Sequence, residues 1–140
     1  MVTRWSSYLL LLAISLLFTA CQPAPEEIGQ EVSIGEGSYR VISVQELENM
    51  LEQKDFTLMN VQIPQQGDIP QTDLHLAYNL MNVSQDELPQ EKEAKIIVYC
   101  KTGGYSKIAV ESLVELGYIN VLMLEGGITA WEEAGLSITR

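Results

Sequence analysis

KIIVYCKTGGYSKIAVESLVELGYINVLML, residues 95–124, is the stretch that decides the fold. Its first six residues form an apolar run that ends on Cys100, as a strand covered on both faces requires. From Tyr105 to Gly117 the spacing becomes helical. Ile108, Ala109, Ser112, Leu113 and Leu116 share one face, Glu111 and Glu115 lie off it, and Gly117 supplies a C-terminal cap. "INVLML" then reads as the next strand. Strand, helix and strand within 30 residues make a βαβ unit. The expected fold is therefore α/β, with a mostly parallel central sheet and helices on both faces.

The flanks extend this unit. Upstream, "YRVIS" opens the domain, and Ser43 with Glu46 makes a capping box for a helix through about Gln53, with Val44, Leu47 and Leu51 on one face. "FTLMNV", 56–61, has the content of a strand. A Pro- and Gly-rich loop follows, and "LHLAYNL" returns briefly as strand. Ser84 to Glu87 reads as a second capping box, on a short helix limited by Pro89. Downstream, "ITAWEEAG" is a last helix closed by Gly135.

The N-terminus reads as a targeting segment. Arg4 precedes the uncharged apolar stretch "YLLLLAISLLF", residues 8–18, which suits a signal h-region and is short for a transmembrane helix. "LFTAC" closes it on Cys21 and resembles the lipobox of bacterial lipoproteins. Residues 1–20 are thus expected to be a signal peptide, and Cys21 a lipidation site. Residues 21–38, rich in Gln, Pro, Glu and Gly, are expected to be a flexible tether, with the domain at 39–140. The protein would be exported to the cell envelope and held on a membrane by its acyl chains.

A formal net charge of −11 disfavours nucleic acid and anionic headgroups as partners. No His, Cys and carboxylate cluster has metal-ligand spacing, and no cofactor motif is present. His75, the sole histidine, and Asp73 read as loop residues, with Asp73 as a brace. Trp131 and the methionines at 50, 59, 81 and 123 read as packing.

Of two cysteines, Cys21 and Cys100, only the second remains a thiol once the first is acylated. A lone thiol in an oxidising compartment is either an inert small hydrophobe or a reactive group. Cys100 lies at the carboxyl end of a central strand, where open α/β sheets bind ligands. Gly103 and Gly104 can take positive φ and turn backbone N–H groups toward the sulfur. A helix N-terminus and Lys101 add positive charge, and all of these favour the thiolate. The expected result is an activated nucleophile in an anion-binding cradle. The loop lacks the glycine–lysine–hydroxyl order of a nucleotide-binding P-loop.

"IIVYCKTGGYSKIAVESLVELGYINVLMLEGGITAWEEAGLSI" resembles the C-terminal half of a rhodanese-like domain. The resemblance lies in a strand ending on cysteine, the six-residue loop Cys100–Tyr105, and a later GG–AW–G segment at Gly126, Gly127, Ala130, Trp131 and Gly135. It implies a sulfurtransferase: Cys100 as catalytic nucleophile, with Lys101, Thr102, Gly103, Gly104, Tyr105 and Ser106 binding a small sulfur donor, and a thiol as acceptor. Related phosphatases use a loop one residue longer. Tyr105 stands where family members often carry arginine, and Asn60 and Gln62 stand where Asp and Arg are frequent, which implies weak use of thiosulfate. The alternative is a non-catalytic module that binds a sulfur species or a partner protein through the same loop.

Overall fold

The computed structural model describes residues 27–140. The strands are β1 (Gln30–Ile34), β2 (Gly37–Ile42), β3 (Thr57–Asn60), β4 (Leu74–His75), β5 (Ile96–Tyr99) and β6 (Val121–Leu124). The helices are α1 (Val44–Leu51), α2 (Gly104–Glu115) and α3 (Gly127–Glu133). One sheet runs β1-β2-β6-β5-β3-β4, parallel throughout except for the antiparallel β1–β2 pair.

Period-2 alternation along the central strand divides the core in two. Ile96, Val98 and Cys100 face one side, with Ala109, Val110 and Leu113 of α2. Ile97 and Tyr99 face the other, with Leu47 of α1 and Ile128 and Trp131 of α3. All four residues of β5 are buried, which is why its sequence is a continuous apolar run rather than an alternating one. The expected α/β architecture, with helices on both faces, is the one observed.

Local signals acted as their chemistry predicts. Ser43 Oγ accepts from Glu46 N–H, and the Glu46 carboxylate takes the Ser43 N–H at 2.7 Å. Asp73 is the brace expected of it: its carboxylate takes the Leu58 N–H at 2.8 Å and the Lys54 ammonium at 2.5 Å. Trp131 is buried, and its indole N–H donates to Ser137 O at 3.0 Å.

Three expectations need correction. The segment read as tether is sheet from Gln30 onward, in a hairpin whose two-residue turn is Gly35–Glu36. Gly35 has φ 55°, the positive value that the primed hairpin turns require at this position. Residues 21–26, with Cys21, and the signal segment 1–20 lie outside the described residues. Ser84 makes no capping hydrogen bond, and Gln85–Glu87 is a single 3₁₀ turn, since the extended Leu88 and then Pro89 leave no room for more. The buried face of α2 is Ser106, Ala109, Val110 and Leu113, while Ile108 is 46% exposed. The buried stripe runs through Ser106, which lies against Cys100.

Candidate active site

Cys100 follows β5 directly, and its side chain lies on the α2 side of the sheet. It is a free cysteine and only 1% exposed. The residues after it fold back over the sulfur. Gly103 has φ 105°, and this reversal aims its N–H at Cys100 Sγ, 3.0 Å away. A Cβ at Gly103 would meet nothing closer than 3.8 Å, so the glycine serves conformation and not space. Gly104 does not share the positive φ; it opens α2 in ordinary helical geometry.

Burial alone pushes the Cys100 thiol up. The hydroxyl and N–H of Ser106, with the N–H groups of Gly103 and Thr102, more than offset burial and hold the thiol below its ordinary value. Lys101 is not among these causes. Its ammonium is bound to Gln66 Oε1 at 2.6 Å, so the expected charge is directed at the neighbouring loop instead. The thiolate is favoured by hydrogen bonds and by the start of a twelve-residue helix.

Ser106 carries more than its sequence position indicates. It is fully buried, and its Oγ makes no hydrogen bond of normal geometry with any described group. Yet it lies near enough to Cys100 to help stabilise the thiolate. Ser106→Ala should therefore shift the pH midpoint of Cys100 alkylation by iodoacetamide upward, toward the value of about 8.5 for a free cysteine. Stability should change by no more than about 1 kcal/mol, because no protein hydrogen bond is lost. An unmoved midpoint would show that the backbone donors suffice.

Two segments clamp the loop from outside. Ile128 N–H and Thr129 N–H, first-turn donors of α3 with no partner inside their own helix, donate to Cys100 O and Lys101 O, both at 2.9 Å. Gly127, at φ 57°, permits this approach: a Cβ there would lie 2.1 Å from Cys100 O. On the other side, Gln62 Oε1 accepts the Lys101 N–H at 3.1 Å. Gln62 is itself placed by Asn60, whose Oδ1 takes the Gln62 N–H at 3.0 Å and whose amide donates to Gly67 O and to Asp68 Oδ1. Burial pushes the Asp68 carboxyl up, but Asn60, His75 and Tyr99 hold it below its usual value. Two of the three positions that depart from the family pattern, Asn60 and Gln62, thus build the wall beside the loop.

The structure brings Cys100, Thr102, Gly103 and Ser106 together around the sulfur, with Lys101 held through its backbone and Gly104 opening α2. Tyr105 stands at the rim, stacked on Tyr78 with ring centroids 4.1 Å apart. Tyr78, Gln66 and the backbone contact of Gly127 were not foreseen. Only the GG–AW–G resemblance hinted at the last; nothing in "LHLAYNL" marks Tyr78.

The rhodanese-like domain family matches residues 43–134. A protein named sulfurtransferase from Allochromatium vinosum is 33% identical over 94 residues, covering 65% of this chain and 85% of its own. The thiosulfate sulfurtransferase GlpE of Pseudoalteromonas translucida is 30% identical over 100 residues, covering 69% and 92%. The crystal structure of a rhodanese-related protein from Thermoplasma volcanium superposes with a TM-score of 0.62 at 29% identity, covering 72% and 98%. With a cysteine cradled by the loop between β5 and α2 and a family match that spans both, the chain belongs to the rhodanese-like family.

Proposed function

We propose that the protein is a sulfurtransferase working through a Cys100 persulfide. The observation that carries this is the buried sulfur held below its usual pKa by loop donors. The Cys100 thiolate attacks the outer sulfur of a donor. The sulfur–sulfur bond of the donor breaks, and its electron pair leaves with the departing group. An acceptor thiolate then attacks the terminal sulfur of the persulfide, and the Cys100 thiolate is the leaving group. The step needs neither an oxidant nor a metal. The N–H groups of Thr102 and Gly103 and the Ser106 hydroxyl are placed to stabilise the anionic persulfide as they do the thiolate. Relatives named as sulfurtransferases at about 30% identity support this reading. Its test is intact-mass analysis of wild type and Cys100→Ser after incubation with sulfur donors. The rival reading, a scaffold that only binds, needs no low-pKa thiol.

The same proposal includes export and lipid anchoring through Cys21, on the strength of the apolar stretch and the small residues before that cysteine. Among the described residues no helix is long and apolar enough to cross a membrane. In a bacterial host the wild-type protein should sediment with membranes, and Cys21→Ser should be released or fail to mature. One acyl chain binds only marginally, so firm attachment requires two or more. Recovery of soluble wild type with an unmodified Cys21 would remove the anchor.

A further inference from the structure

Sulfur transfer alone does not require the aromatic pair at the rim of the cradle. Tyr105, the last residue of the loop, and Tyr78 stack with planes only 9° apart. Tyr105 keeps 36% of its surface exposed. Both residues are held at their backbone. The Tyr78 N–H donates to Val61 O at 3.2 Å, and the Val61 N–H donates to Tyr99 O at 2.9 Å, which ties Tyr78 laterally to the strand that leads into Cys100. Tyr78 also packs against the core under α2. Tyr105 is rooted by its neighbour Ser106, which is fully buried against the thiol. The result is a stacked, partly exposed aromatic plate on one flank of the loop. Elsewhere the loop meets amides: Gln62 and Gln66 occupy the Lys101 N–H and ammonium.

We infer that Tyr78 and Tyr105 together set donor specificity: the plate receives an apolar or aromatic substituent carried by the donor's leaving group. The preferred donor is then an organic persulfide or thiosulfonate bearing such a group, rather than thiosulfate. Beyond its outer sulfur, thiosulfate offers only anionic oxygens, which gain nothing from an aromatic face, and the Lys101 ammonium is already engaged by Gln66. This inference rests on the sulfur-transfer reading of Cys100 and names its substrate class.

Benzenethiosulfonate and methanethiosulfonate provide matched probes. Both carry one negative charge and the same outer sulfur, and they differ in phenyl against methyl. In each the Cys100 thiolate takes the outer sulfur, the sulfur–sulfur bond breaks, and the electron pair leaves on a sulfinate. The measurement is kcat/KM for each donor with dithiothreitol as acceptor, expressed as the phenyl-to-methyl ratio. Intrinsic reactivity cancels when the ratio is compared between variants, and so does any loss of folded protein. The ratio should fall about three- to tenfold in Tyr78→Ala and in Tyr105→Ala, the scale of one aromatic contact. Tyr78→Phe should keep the wild-type ratio, because the stack needs the ring and not the hydroxyl. Equal ratios in wild type and both alanine variants, with Cys100 still loaded by either donor, overturn the specificity inference alone. Failure of both donors to load wild-type Cys100 overturns it together with the sulfur-transfer reading.

Discussion

Cys100→Ser should abolish sulfur loading, lowering turnover on the order of a thousandfold or more with any donor that serves the wild type. A serine hydroxyl is not ionised near neutral pH, and its oxygen cannot hold a sulfane sulfur as a persulfide that a thiol then reopens. The substitution separates chemistry from folding. The cysteine is 1% exposed, so the serine hydroxyl enters a buried space, but that space already presents the Gly103 N–H at 3.0 Å. A hydroxyl can accept that donor, and stability should move by no more than about 1 kcal/mol. Intact mass after donor treatment should show one added sulfur on the wild type and none on the variant, with both giving the same circular dichroism. Equal sulfur uptake by the two would place the reactive atom elsewhere and end the Cys100 mechanism.

What the sequence disclosed and what it hid follow from range. The βαβ unit was legible because its signals are local: an unbroken apolar β5, a helical stripe and a capping glycine at Gly117, φ 89°. The hairpin was hidden by composition. Glu31, Ser33, Glu36 and the glycines read as a solvated tether, although Val32 and Ile34 alternate with polar residues and Gly35 stands at the turn. An exposed edge strand need bury only alternate side chains, so its composition resembles that of a linker.

The site divides in the same way. That a cysteine followed by glycines would sit in a donor-rich loop was readable, because positive φ and helix starts leave marks in the chain. Which donors act was not. Lys101 is adjacent in sequence but reaches Gln66, 35 residues away, whereas Ser106 is turned onto the thiol by the helix. The wall made by Asn60, Gln62 and Asp68, and the stacking of Tyr78 on Tyr105, join segments that only the sheet order brings together.

The Gly126–Gly127 pair is a long-range requirement of the same kind, and Gly127→Ala should be far more damaging than its size implies. A Cβ on Gly127 would lie 2.1 Å from Cys100 O and 2.9 Å from both the carbonyl carbon and oxygen of Lys101. These are backbone atoms of the Cys100 loop and cannot rotate aside. If α3 withdraws, the hydrogen bonds from Ile128 and Thr129 to those carbonyls are lost, and Ile128 and Trp131 are lifted from the core. If instead the loop yields, the N–H groups around Cys100 lose their aim. Left-handed strain of about 1–2 kcal/mol and two backbone hydrogen bonds at about 0.5–1.5 kcal/mol each give a cost of about 2–5 kcal/mol. Gly135→Ala is the control: at φ 83° it carries the same strain, but a Cβ there meets nothing within 4 Å, so it should cost only about 1–2 kcal/mol. Urea unfolding of both variants measures the difference, and iodoacetamide reactivity of Cys100 reports the cradle. Gly127→Ala should be the less stable and its thiol should titrate nearer the free value, while Gly135→Ala keeps the wild-type midpoint. Equal stabilities would mean that the contact between α3 and the loop is not what holds the sulfur's donors in place.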